Sequence, residues 1–218
     1  MKFQNIFKTS DLKDSLGDQF RKKRFRFFED KIKHLNKPVR ILDVGGLESF
    51  WVNRGYANNS DYQITILNIT PIETHHDNLK SVIGDATNLS NLKAGEFDVV
   101  FSNSVIEHLY TKDNQAKMAS EVKRVGNYHF IQTPNKYFPI EPHYVLPFFQ
   151  YLPDNIKYFI LTKTPLSRME KWDKEYARQY INEIRLLSEQ EMTELFPGSQ
   201  IYHEKLAGLT KSFTAHNL

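Results

Sequence analysis

The run "RILDVGGLESFW", residues 40–51, decides the fold. Ile41, Leu42 and Val44 lead through Asp43 into Gly45 and Gly46, with Glu48 just beyond. A strand buried on both faces reads as a near-continuous apolar run of this kind. Paired glycines at its end let the backbone take positive φ and pass close to a ligand. In open α/β sheets, ligands lie beyond the carboxyl ends of the strands, where the strand order reverses. A ligand is therefore expected at this turn.

Working outward, "YQITILNI" (62–69) reads as a second strand, closed by Pro71. "KSVIGDATNL" (80–89) holds a short third strand ending at Gly84-Asp85. "FDVVFSNS" (97–104) is a fourth and "YHFIQTP" (128–134) a fifth. Residues 105–125 read as one helix, and residues 10–36 as another that starts from a cap at Ser10. This alternation predicts an α/β fold with a doubly wound, mostly parallel, seven-stranded Rossmann-like sheet. Ser188 and Glu191 form a capping-box pattern ahead of a further helix, and residues after it give a closing antiparallel hairpin near Gly208. The aromatic- and proline-rich segment 135–187 is too long for a plain connector and is expected to be a lid or binding wall before strand six. The expected layout is one domain over 1–218: a helical cap (1–37), a binding core (38–134), the lid (135–187) and the closing helix and strands (188–218).

The 218 residues suit one good-sized domain, with 40% apolar and 25% charged residues, as in soluble globular chains. There is no cysteine, which excludes disulfides, thiolate catalysis and cysteine-held zinc or iron–sulfur clusters. No apolar run reaches the roughly 18 residues of a membrane span, and no signal-peptide segment opens the chain. The expectation is a cytoplasmic protein without a membrane partner. The net charge of +3 does not by itself imply nucleic-acid binding. The basic run "RKKRFRFF" (21–28) reads instead as the solvated side of an amphipathic helix. Its apolar stripe takes in Leu16, Phe20, Phe27, Phe28, Ile32 and Leu35, with Arg24 interrupting and Phe25 lying off it.

The turn itself narrows the ligand. A nucleoside triphosphate calls for GxxxxGK[ST], which is absent. A dinucleotide calls for GxGxxG, whereas Leu47, Glu48, Ser49 and Phe50 follow the glycines, and Glu48 would repel a pyrophosphate. None of the eleven tyrosines has a lysine four residues later, which argues against a short-chain hydride-transfer enzyme. S-adenosylmethionine carries no phosphate and benefits from nearby carboxylates.

"ILDVGG" resembles motif I of the class I S-adenosylmethionine-dependent methyltransferases. "VIGDATNL" resembles the segment that cradles their adenine, and "FDVVFSNSVIEHL" resembles their fourth strand and the turn after it. The resemblance runs over about residues 38–134 and implies the cofactor S-adenosyl-L-methionine, with S-adenosyl-L-homocysteine as product. It puts Asp43, Gly45 and Gly46 at the methionyl end, Asp85 and Ala86 at the adenine, and Ser102 and Asn103 along the cofactor near the methyl group. Glu107 and His108 then start the next helix. Where the family commonly grips the ribose with an acid, Asn68 stands, so the charge-assisted component is lost or supplied by Glu48 or another group.

The resemblance implies a transferase of the EC 2.1.1 type. "TPNKYFPIEPHYVLP" (133–147), straight after strand five, is the expected source of acceptor contacts, and it resembles a segment of small bacterial methyltransferases from specialised-metabolite and surface-glycan pathways. His143 is the candidate base, His108 the second, and Glu141 an orienting carboxylate. Asn135, Tyr137 and Tyr144 are candidate acceptor contacts. Trp172, Tyr176 and Tyr180, four residues apart, read either as core or as a stripe that closes over a flat or sugar-like substrate. His75-x-Asp77 has facial-triad spacing, but it falls in a loop between parallel strands, and no metal is expected. The expected partner is a small-molecule acceptor, with the chain a monomer or homodimer. Rival readings are an NAD-dependent oxidoreductase, and a methyltransferase-like module that binds nucleic acid through "RKKRFRFF".

Overall fold

The computed structural model describes residues 16–218. Helix α1 (Leu16–Ile32) belongs to one compact unit and Lys37–Asn217 form another. Ser10, the expected cap, lies outside the described residues. On α1 the buried side chains are Arg24, Phe25, Phe28 and Ile32, while Lys22, Lys23 and Arg26 are exposed. Phe25 therefore lies on the stripe, because positions 25, 28 and 32 follow the helical i, i+3, i+7 spacing.

In the second unit the chain runs β1 (Val39–Val44), α2 (Glu48–Val52), β2 (Tyr62–Asn68), β3 (Leu79–Ile83), β4 (Phe97–Asn103), α3 (Lys112–Val125) and β5 (Gly126–Pro134). A β6–β7 hairpin (Ile140–Glu141, Leu146–Pro147), α4 (Asp154–Lys163), α5 (Lys174–Glu183), α6 (Glu189–Leu195), β8 (Gln200–Leu206) and β9 (Leu209–His216) follow. Seven strands form one sheet in the order β3-β2-β1-β4-β5-β9-β8. Strands β1 to β5 are parallel, and β9 is antiparallel to both neighbours. The chain walks outward from β1 to β3, then crosses back to β4. The order thus reverses between β1 and β4, whose ends are level at Val44 and Ser102.

One connection differs from the alternation expected: residues 84–96 carry no helix, while residues 69–78 form the loop expected at His75-x-Asp77. Asp85 and Asn88 cap local turns there, accepting from Thr87 and Ser90 backbone N–H groups at 2.8 and 3.2 Å, and such Asx bonds compete with helix formation. The helix expected over 105–125 splits into a 3-10 turn at Ile106–His108 and α3. Tyr110, in the left-handed region at φ +62°, breaks it, and Thr111 caps α3 by accepting from Asn114 N–H at 3.2 Å. The buried face of α3 (Met118, Ala119, Val122, Val125) shares a core with Leu42, Val44, Val100, Ile131 and Phe213 of the sheet. Ser188 and Glu191 form the expected capping box on α6.

The segment 135–187 returns to its own start: Lys136 N–H donates to Leu187 O at 3.0 Å, and Asn135 pairs with Leu187 as an isolated bridge. It is ordered by aromatic packing rather than by a regular period. Tyr144 meets Phe149, Trp172 and Tyr180 with ring centroids 4.5, 5.6 and 5.6 Å apart. Among the described residues, no helix is long and apolar enough to cross a membrane.

Candidate active site

Two stretches meet beyond the ends of β1 and β4. At Gly45 (φ +75°) a Cβ would stand 2.5 Å from Val105 Cγ2, so the turn after β4 lies directly against the turn after β1. The carboxylate of Asp43 lies over Gly46 and accepts from Trp51 Nε1 at 2.7 Å. Trp51 is wholly buried on α2, packed edge-on against Phe50, Tyr56 and Phe101. Burial pushes the Asp43 carboxyl up to about 7, against the opposing pull of the Trp51 N–H and the Arg54 charge. Sequence reasoning missed Trp51, although a tryptophan in a short helix straight after the turn needs a partner for its N–H.

Asn68 faces the same turn. Its Nδ2 donates to Gly46 O at 3.3 Å and its Oδ1 accepts from Ile69 N–H at 2.9 Å. Glu48, considered for the ribose, is otherwise engaged. Its carboxylate accepts from His75 N–H at 2.6 Å and pairs with the Nδ1 atoms of His75 and His76 at 3.1 and 2.8 Å. Burial would raise its pKa, but these bonds outweigh it and hold the group down at about 2. Both histidines of "THHD" are thus turned to Glu48. Asp85 is exposed, with one oxygen on Thr87 N–H and Oγ1 at 2.8 Å each, and Ala86 beside it is buried.

At the end of β4 the two expected cofactor contacts part company. Ser102 is wholly buried and its Oγ donates to Val44 O at 3.2 Å. This bond braces β4 against β1. Asn103 Oδ1 is buried with no hydrogen-bond partner.

Past Val105 the 3-10 turn delivers Glu107 and His108. Ser104 (φ +58°) and Tyr110 (φ +62°) bracket it in the left-handed region, a conformation costly for these residues that surrounding structure must hold. Glu107 is wholly buried; Oε2 accepts from Thr133 Oγ1 of β5 at 3.0 Å and Oε1 has no partner. His108 Nδ1 pairs with Glu183 of α5 at 2.8 Å. From the β6–β7 hairpin, His143 Nδ1 pairs with Glu141 at 2.5 Å, and the two imidazoles meet edge-to-face with centroids 5.0 Å apart. Burial works to lower the His143 pKa, but the charge of and bond to Glu141, with Glu107 behind, raise it above the ordinary value. The expected base, second histidine and orienting carboxylate thus come together. Glu183, 75 residues from His108, has no local signal in the sequence.

The expected acceptor contacts are less uniform. Asn135 spends both side-chain groups internally, Nδ2 donating to Thr210 O at 2.7 Å and Oδ1 accepting from Tyr137 N–H at 3.0 Å. Tyr137 is exposed. Tyr144 and Trp172 are buried and Tyr176 half-buried, with Trp172–Tyr176 centroids 5.1 Å apart. Their rings pack on one another within the 135–187 segment.

Sheet order, glycine turn and the buried acid beneath it define the Rossmann-like methyltransferase architecture. Residues 42–127 match the family described as "Methyltransferase domain". Similar solved structures are an S-adenosylmethionine-dependent methyltransferase from Aquifex aeolicus (TM-score 0.56, 12% identity, 99% of this chain and 97% of that one) and one from Methanosarcina mazei (0.51, 14%, 86% and 95%). Phosphoethanolamine N-methyltransferase 2 of Haemonchus contortus, solved in complex with S-adenosyl-L-methionine, matches with TM-score 0.55 at 12% identity over 91% of this chain and 42% of that one. Uncharacterised proteins from two strains of Mycobacterium tuberculosis are 44% identical over 54 residues, which is 24% of this chain and 18% of theirs.

Proposed function

We propose that the chain moves a methyl group from S-adenosylmethionine to a hydroxyl or amine of a small molecule, a natural product or sugar-like acceptor, in the cytoplasm. The observation that carries this reading is adjacency. The Gly45 turn and Val105 touch, and two residues past Val105 begins the cluster of Glu107, His108 and His143. Donor and acceptor ends then share one crevice at the β1/β4 reversal, where this sheet class binds ligands.

The chain's own residues fit the cofactor. Asp43 and the Gly45-Gly46 turn suit the methionyl ammonium, Asn68 the ribose, Asp85 and Ala86 the adenine. Asn103 Oδ1, buried and unpartnered, offers an acceptor along the same edge. When bound, S-adenosylmethionine supplies an electrophilic methyl on a sulfonium. Transfer forms the acceptor's oxygen–carbon or nitrogen–carbon bond, the pair of the carbon–sulfur bond stays on sulfur, and the acceptor's proton leaves. Orientation alone supplies effective molarities of order 10⁵ M or more. Lowering the cost of losing that proton falls to the cluster of His143, His108 and Glu141, worth roughly 10²–10⁴-fold for a hydroxyl. Beside Glu141 a cavity of about 210 Å³ is lined also by Lys136, Tyr144, Gln150, Lys157, Ile181 and Leu186, a mixed polar, aromatic and aliphatic lining that would take a ring with both apolar faces and hydroxyls.

The test is calorimetric titration with S-adenosylhomocysteine and, separately, NAD, on the wild type and Asp85→Ala, followed by transfer from labelled cofactor into pools of small hydroxyl and amine acceptors. Saturable binding that Asp85→Ala weakens, with NAD silent, supports the reading. NAD binding, or transfer to RNA alone, overturns it.

A further inference from the structure

The histidine cluster has the construction of a metal cage. One carboxylate oxygen of Glu107 and one nitrogen from each of His108 and His143 lie within 4.8 Å of one another. Each imidazole has its Nδ1 on a carboxylate, Glu183 for His108 and Glu141 for His143, which leaves the two Nε2 atoms for the shared space. A histidine that ligates a metal almost always gives its other ring nitrogen to a carboxylate or carbonyl, which fixes the tautomer and the ring. The carboxylate of the set is just as pointed. Glu107 is wholly buried, Thr133 holds Oε2, and Oε1 has no partner. A buried, unpartnered carboxylate oxygen is costly, and a bound cation would satisfy it.

Charge leads to the same place. Glu107, Glu141 and Glu183 are all buried around two imidazoles. A neighbouring guanidinium, Arg168, donates to the His143 carbonyl at 3.0 Å and offsets only part of that charge.

We propose that Glu107, His108 and His143 bind a divalent ion of the zinc class, with the fourth position open towards the acceptor. The inference rests on the methyl-transfer reading only for what the open position receives. It departs from the absence of metal expected from the sequence, which tested the "THHD" loop and not these three residues. Two imidazoles and one carboxylate suit zinc and its neighbours, and three protein ligands plus one open position is the pattern of catalytic zinc sites. Bonds of about 2.0–2.1 Å put ligand atoms roughly 3.3 Å apart, so the three side chains would draw together on binding. An ion of this kind is a Lewis acid that lowers the pKa of coordinated water to about 7, and it would acidify an acceptor hydroxyl in the same way, so that with the ion bound His108 and His143 serve as ligands and the ion takes over the part of the base.

The experiment titrates zinc chloride into the chelator-stripped full chain by calorimetry, with cobalt(II) absorption as a second readout. The expected result is one equivalent bound and a tetrahedral cobalt spectrum. His143→Ala and Glu107→Gln should lose both. Glu183→Gln, which keeps size and shape, should weaken zinc about 10–100-fold. The double variant His75→Ala/His76→Ala should leave the affinity unchanged. Equal zinc affinity in wild type, Glu107→Gln and Glu183→Gln overturns the proposal, as does loss of binding in the His75/His76 variant instead. S-adenosylhomocysteine titration of the same samples reports both on folding and on the methyl-transfer reading, through residues outside the cage. Failure of the metal site and failure of that reading are therefore separate results.

Discussion

The carboxylate of Asp43 occupies the space that a side chain on Gly46 would need, with Oδ2 1.7 Å from where a Cβ would stand. Gly46 is thus demanded by close approach, and Gly45 by positive φ and the press of Val105. Gly46→Ala would force Asp43 away and break its 2.7 Å bond to Trp51. We expect about 1–3 kcal/mol of lost stability, the usual cost of overpacking, by denaturant unfolding. S-adenosylhomocysteine affinity should fall at least about tenfold by calorimetry, since the displaced group is its expected partner. Unchanged stability and affinity would mean that the turn is looser than its geometry.

Asp43 should also make S-adenosylhomocysteine binding pH-dependent. With its pKa pushed up to about 7, the folded chain holds a proton there that the unfolded chain releases above about 3.8. Because the folded state binds the extra proton, this group's contribution to stability falls as pH rises from about 4 to about 7 and levels off above that. A ligand ammonium favours the ionised form, so S-adenosylhomocysteine binding near pH 6 should release a proton. The binding enthalpy then varies with the ionisation enthalpy of the buffer. Asp43→Asn should abolish that variation and weaken binding about 10–100-fold, the worth of a charge-assisted hydrogen bond.

Ser102 and Asn103 should separate cleanly under mutation. Ser102→Ala removes the brace on Val44 and should cost about 0.5–1.5 kcal/mol of stability while affinity for S-adenosylhomocysteine stays within about threefold. Asn103→Ala removes a buried oxygen that has no partner, so stability should hold or rise by up to about 1 kcal/mol while affinity drops about tenfold. Thermal melting and calorimetry on the two variants read both quantities. The reverse pattern would exchange the roles assigned to them.

Much of the sheet was legible because its strands are locally written. Val39–Val44, Tyr62–Asn68 and Phe97–Asn103 carry near-continuous apolar runs bounded by glycine, proline or asparagine, and each appears within a residue or two of the expected bounds. The missing helix between β3 and β4 was not legible from alternation alone, because side-chain caps at Asp85 and Asn88 decide it. The segment 135–187 was legible as an excursion but not as a structure, since its hairpin and helices are held by aromatic contacts between residues as far apart as Tyr144 and Tyr180. For the candidate site the same division holds. "EPHY" announces the Glu141–His143 pair through its spacing, whereas Glu183 reaches His108 only through the fold.

Glu48 gathers the two histidines of the 70–78 loop onto the cofactor turn, and this contact has its own pH window. Glu48 is held at about 2, so what it contributes is fully present above its unfolded value of about 4.5 and is lost as pH falls towards 2. His75 has its pKa raised by the hydrogen bond and charge of Glu48, with Glu73 adding to it. Its contribution is full below 6.5 and is lost as pH rises through the folded value. The loop should therefore be held best between about pH 4.5 and 6.5. A proton NMR titration of the His75 ring should show a midpoint above 6.5 that moves most of the way back in Glu48→Gln, the remainder belonging to Glu73. The same variant should flatten the acid limb of the melting temperature. Since His75 is exposed, the expected stability change is small and salt-sensitive, and the ring titration is the decisive reading. A His75 midpoint that ignores Glu48→Gln would detach the loop from the turn and leave Glu48 free to serve the ribose.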